Sequence, residues 1–73
     1  MARIEVKSEI TGTVWQIKAS VGDAVEEGDT LVVIESMKME IPVMAEDAGE
    51  VKEILVKEKD AVAEGQVVAI LEG

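Results

Sequence analysis

Histidine and cysteine are both absent from this 73-residue chain. That removes the Ser-His dyad, thiol nucleophiles, disulfides and the His/Cys clusters that hold transition metals. Ser8, Ser20 and Ser36 therefore have no evident base. Acidic pairs such as Glu26-Glu27 and Glu46-Asp47 lie in turn-like stretches where solvation accounts for them. Asp23, Glu27 and Asp29 miss the spacing of a calcium-binding EF-hand loop. Gly22, Gly28, Gly49 and Gly65 are too scattered to cradle a phosphate. The chemistry left to the chain rests on one lysine, in the stretch Glu35-Ser36-Met37-Lys38-Met39-Glu40. An ordinary lysine ammonium is protonated at neutral pH and a poor nucleophile, so Lys38 is no catalyst alone. A second protein can deprotonate and acylate it, leaving an uncharged amide.

Lys38 stands out by its position. Sliding the sequence by 37 residues aligns Ile4 with Ile41, Val6 with Val43, Gly12 with Gly49 and Val14 with Val51. The match continues through Asp23-Ala24-Val25 over Asp60-Ala61-Val62 and Glu27-Gly28 over Glu64-Gly65, ending at Glu35 over Glu72. The chain reads as two half-units, 1–37 and 38–73, with the seam between Met37 and Lys38. Two copies are too few for a solenoid but suit half-units closed about a pseudo-two-fold axis. That axis would put the lysine hairpin and the chain ends at opposite ends of one domain, residues 1–73.

The elements that hold Lys38 are strands. Leu31-Val32-Val33-Ile34 and Ile41-Pro42-Val43-Met44 flank it as two β segments joined by about four residues, a hairpin with Lys38 at its tip. Pro42 cannot donate to a ladder and implies an edge or a bulge. Residues 4–7 alternate as a half-buried strand, Thr11-Gly12-Thr13 reads as a turn, and Val14 to Lys18 reads as a second strand. Gly22-Asp23 and Gly28-Asp29 mark tight reversals, with Val25 plugging the loop between them onto the core. The second half replays the plan through Ile54-Leu55-Val56, a plugged loop from Lys59 to Gln66, and Val67 to Leu71. Short strands at this spacing specify an all-β sandwich or flattened barrel.

Two features set the tip apart from a solvated surface loop. Met37 and Met39 place an unbranched apolar collar where a free tip would be polar. A tight turn at Met37-Lys38 also lacks the Asn-Gly, Asp-Gly or leading Gly that two-residue hairpins favour, so non-glycine residues would take positive φ.

The formal net charge is −9, from sixteen acidic and seven basic residues. It opposes nucleic acid and anionic membrane surfaces as partners. No apolar run approaches the roughly 18 residues of a membrane span, and no basic-then-apolar leader is present, so the expected molecule is a cytoplasmic monomer. Met1, close before the strand-like Ile4-Glu5-Val6, fits a free-standing small protein.

Glu-Ser-Met-Lys-Met resembles the Glu-Ala-Met-Lys-Met signature of biotin carboxyl carrier domains, with Ser36 in place of the usual alanine. Val-Gly-Asp-x-Val-x-x-Gly-Asp-x-Leu at 21–31 and the block from Gly49 to Glu58 are also similar to that family, and the likeness spans nearly the whole chain. The resemblance implies a flattened barrel of two four-stranded antiparallel sheets related by pseudo-two-fold symmetry. It also implies that a biotin protein ligase biotinylates Lys38. The biotin would accept carboxylate at a biotin carboxylase site and deliver it to a carboxyltransferase site. Met37 and Met39 would serve recognition by ligase and carboxylase, with Glu35, Ser36 and Glu40 in the surface the ligase reads. The segment between Val14 and Val21 is too short for the protruding thumb of some acetyl-CoA carboxylase carriers, so the chain is more similar to thumbless domains. The sister lipoyl domains carry a lysine at the same tip, typically with Asp before it and Ala or Val after it. Two methionine neighbours favour biotin over lipoate. An unmodified adaptor module on the same barrel is the third reading.

Overall fold

The computed structural model describes residues 3–73. Met1 and Ala2, the start of the expected half-unit 1–37, lie outside the described residues. Eight strands follow in order: β1 (Arg3–Lys7), β2 (Gly12–Ile17), β3 (Ala24–Val25), β4 (Thr30–Ser36), β5 (Met39–Met44), β6 (Gly49–Ile54), β7 (Ala61–Val62) and β8 (Val67–Glu72). They form two four-stranded sheets, ordered β1-β8-β6-β3 and β5-β4-β2-β7, with every pairing antiparallel. Among the described residues no helix is long and apolar enough to cross a membrane.

A shift of 37 residues carries β1 onto β5, β2 onto β6, β3 onto β7 and β4 onto β8, turning one sheet order into the other. Irregularities repeat as well. The register slips between Val14 and Gln16 and again between Val51 and Glu53, leaving Trp15 and its counterpart Lys52 as the extra residues. It slips likewise at Leu31 and at Val68. These bulges break strict alternation, which is why the adjacent pairs Leu31-Val32 and Val68-Ala69 are all fully buried. Val14, Ile34, Val51 and Leu71 complete the centre of an aliphatic core between the sheets. Pro42 lies on β5, an edge strand, where its missing N–H leaves no gap in a ladder.

The two plugged loops are built by one device. The Ser20 N–H donates to Asp23 Oδ2 and the Glu26 N–H to Asp29 Oδ2, both at 2.9 Å. In the second half Lys57 N–H donates to Asp60 Oδ2 at 2.9 Å and Ala63 N–H to Gln66 Oε1 at 3.0 Å. Each polar side chain thus closes a turn from its fourth position. Gly22, Gly28 and Gly65 supply φ of +96°, +92° and +84°, while Lys59, the counterpart of Gly22, is held at +76°. Val25 and Val62 are buried as plugs, but each loop also pairs through a two-residue strand, β3 on β6 and β7 on β2. Two residues are too few to show a strand period in sequence.

Some local expectations fail. Of Ile54-Leu55-Val56, expected as a strand, only Ile54 is in one, because β6 ends there. Thr11-Gly12-Thr13 does not make a turn: Gly12 and Thr13 begin β2, paired with Val62 and Ala61 of β7. A Cβ on Gly12 would lie 2.5 Å from the Glu35 carbonyl oxygen and 2.8 Å from Ile34 Cγ2. On its counterpart Gly49 it would lie 2.8 Å from the Glu72 oxygen. These glycines permit strand approach.

Candidate functional site

The β4–β5 hairpin holds all six residues of the lysine stretch. Pairing runs from Thr30↔Met44 to Glu35↔Glu40 and closes at Ser36↔Met39, so the tip is a two-residue turn of Met37 and Lys38, shorter than the four residues expected. Both take left-handed backbone, with φ +52° and +66°. Two positive φ values are what the right-handed strand twist asks of a tight hairpin, and glycine is the residue that adopts them freely. Here two non-glycine residues carry them, each at a cost of about 1–2 kcal/mol.

Strand pairing holds the strained turn in place. β4 is an inner strand, hydrogen-bonded to β5 on one side and β2 on the other, with Leu31 to Ile34 buried. Gly12 presses the start of β2 against the hairpin base, and its absent Cβ would meet Ser36 Cβ at 3.2 Å. Ser36 is half-buried there, with less exposed surface than its neighbours at the tip. The turn chemistry pointed to strain at the tip. Only the pairing shows that Gly12 supports it, and the recurrence of glycine at Gly49 was the signal available in sequence.

Met37 is 90% exposed and Met39 58% exposed, so the collar is open to solvent. Glu35, Lys38 and Glu40 are exposed too. Glu35 and Glu40 face each other across the ladder, a like-charge pairing that costs the sheet stability and sets negative charge behind the lysine. Lys38 enters no ion pair among the described residues, where Lys52 is the paired lysine, 3.5 Å from Glu50 and 3.9 Å from Glu72. The tip therefore presents one unengaged amine, on a rigid backbone, ringed by thioethers. It can be acylated by an approaching enzyme, and it fits a covalently attached group that must reach away from the barrel.

A family model described as "Biotin-requiring enzyme" matches residues 3–71. A protein of Mycolicibacterium smegmatis named "Biotinylated protein TB7.3 homolog" is 54% identical over 41 residues, 56% of this chain and 58% of that protein. The "Biotin/lipoyl attachment protein" of Bacillus subtilis is 43% identical over 41 residues, 56% of each chain. The matched region thus spans little more than half the length of these relatives. Among solved structures, the Kluyveromyces lactis urea carboxylase superposes with a TM-score of 0.93 at 42% identity, covering 99% of this chain and 6% of that enzyme. A single-chain, multi-domain long-chain acyl-CoA carboxylase superposes with a TM-score of 0.87 at 29% identity, covering 93% of this chain and 7% of that enzyme. With the family match spanning both half-units and the lysine hairpin between them, the chain belongs to the biotin/lipoyl attachment family.

Proposed function

We propose that the chain is a biotin carboxyl carrier, a non-catalytic domain over residues 1–73 whose Lys38 is biotinylated on Nζ. The observation that carries this reading is the Met37-Lys38 turn, two strained non-glycine residues holding an unengaged amine inside an exposed Met37/Met39 collar. The likeness to a small part of each of two carboxylases supports biotin over lipoate, as does the name of the mycobacterial relative.

Bound biotin supplies a ureido nitrogen that can hold carboxylate. The chain's own residues hold the attachment point clear of the barrel, and the turn fixes its direction. The tether turns two bimolecular encounters, with a biotin carboxylase and with a carboxyltransferase, into confined ones at raised effective concentration. A biotin protein ligase installs the group, reading Glu35, Met37, Met39 and Glu40 around the tip. The carrier works as a cytoplasmic monomer on this reading.

Intact mass measurement on protein from its own host, with peptide mapping of residues 31–45, tests it. A biotinyl increment on Lys38 is expected. A lipoyl increment would move the carrier to lipoate chemistry, and an unmodified Lys38 in a host that biotinylates other proteins would favour an adaptor.

A further inference from the structure

The internal repeat supplies a control that few surfaces have: each outward position on one sheet has a counterpart on the other. On the β1-β8-β6-β3 sheet the outer positions are charged, with Glu5, Lys7, Glu50, Lys52 and Glu53 around the buried Ile70. Their counterparts on the β5-β4-β2-β7 sheet, in the same order, are Pro42, Met44, Thr13, Trp15 and Gln16 around the buried Val33. Five charged side chains on one face thus answer to five uncharged ones on the other. Lys52 lies between Glu50 and Glu72 on its face, so the equivalent Trp15 belongs beside Thr13 and Glu35.

Pro42, Val33 and Gln16 pair in one row across three strands, a span of about 10 Å. Trp15, the chain's one aromatic residue, is 43% exposed at this row, and Met44 is 48% exposed beyond it. Gln16 Oε1 is covered and has no hydrogen-bond partner among the described residues. In a chain of net charge −9, this face keeps its charge at the end next to Lys38, where Glu35 and Glu40 stand. The Met37/Met39 collar continues it to the tip. Exposed apolar area rimmed by charge marks a contact surface, and tryptophan is among the residues that most often dominate one.

We propose that the outer face of the β5-β4-β2-β7 sheet, centred on Trp15, is the docking surface for the ligase that acylates Lys38. The complementary ligase surface is apolar with a basic rim. This rests on the carrier reading. The ligase is the occupant because it acts before any cofactor is attached and must bind the bare protein. Later partners can also hold the attached group. A second copy of the chain would bring net charge −9 against itself.

The test is steady-state biotinylation of the apo-protein by the purified biotin protein ligase of the same host. The variants are Trp15→Lys and Met44→Lys, which copy the charges of Lys52 and Lys7, with Lys52→Trp as the opposite-face control and thermal unfolding to confirm that each folds. Each of the first two should raise KM about tenfold with kcat unchanged, and Lys52→Trp should leave both alone. Wild-type KM in folded Trp15→Lys and Met44→Lys would overturn the docking surface and leave the carrier reading intact. A wild-type protein that the ligase does not modify at Lys38 would overturn both. A wild-type dimer that Trp15→Lys dissociates, at unchanged KM, would make this a contact between copies and overturn the ligase assignment.

Discussion

At the scale of single residues, two lysines hold the left-handed backbone that glycine holds elsewhere in the fold. Lys38 does so at the tip, where the proposed modification would use its amine, and Lys59 does so in a loop, where its counterpart is Gly22. The difference is testable. Lys59→Gly removes the steric cost of φ +76° and adds back some chain entropy, so a net gain of about 0.5–1 kcal/mol is expected as a higher urea midpoint at unchanged m. A lower midpoint would show that the Lys59 side chain contributes contacts worth more than the strain. Lys38→Ala should leave stability within about 1 kcal/mol, because the residue is exposed and makes no ion pair among the described residues, while abolishing the mass increment on the 31–45 peptide. An increment that reappears on Lys7 or Lys52 would refute the assignment of Lys38.

Among the elements, the hairpin depends on the strand beneath it. Gly12→Ala would place a methyl group 2.5 Å from the Glu35 carbonyl, and backbone cannot yield as a side chain can. A loss of about 1–3 kcal/mol is expected, the range of forced overpacking. Gly49→Ala makes the equivalent clash with Glu72 at 2.8 Å, in the other sheet, where β6 meets β8 and not the lysine hairpin. Both variants should lose stability in chemical denaturation, but only Gly12→Ala should slow ligation, since only it displaces the base of the lysine hairpin. Equal ligation rates in the two would separate the glycine from the site. Much of this scale was legible in the sequence. The long strands announce themselves by Leu31 to Ile34 and Val67 to Leu71, the reversals by Gly22-Asp23 and Gly28-Asp29, and the edge by Pro42. What was not legible depends on partners distant in the chain. Gly12 looks like a turn until Glu35 is placed against it, and β3 and β7 are too short to show a period. The uncharged outer face is a property of two sheets compared, which no single strand displays.

Across the whole molecule, the hydrogen bonds that fasten the loops come in symmetric pairs. Gly22 N–H to Val51 O at 2.8 Å answers to Lys59 N–H to Val14 O at 2.7 Å. Gly28 N–H to Ala45 O at 2.9 Å answers likewise to Gly65 N–H to Ser8 O at 2.7 Å. Under that symmetry the Met37-Lys38 turn between β4 and β5 corresponds to the gap between β8 and β1, where Arg3 pairs with Glu72 as Glu40 pairs with Glu35. The chain can therefore be reopened. A permutant that joins Gly73 to Ala2 through an Asn-Gly pair and begins at Lys38 puts four residues between Glu72 and Arg3, as between Glu35 and Glu40, and so closes one two-residue hairpin and opens the other. The new turn has the residues that positive φ favours, and the strained one is released. Both sheet orders survive the exchange, so the permutant should fold cooperatively, with unfolding free energy within about 2 kcal/mol of the parent. It should not be ligated at Lys38, whose amine would sit on a free end with no hairpin to aim it. Cooperative folding without ligation would separate the two roles of the seam, since the barrel tolerates a break at Met37-Lys38 and the site does not. A permutant that fails to fold would show that the barrel needs the β4–β5 connection itself and not only the strand pairing on either side of it.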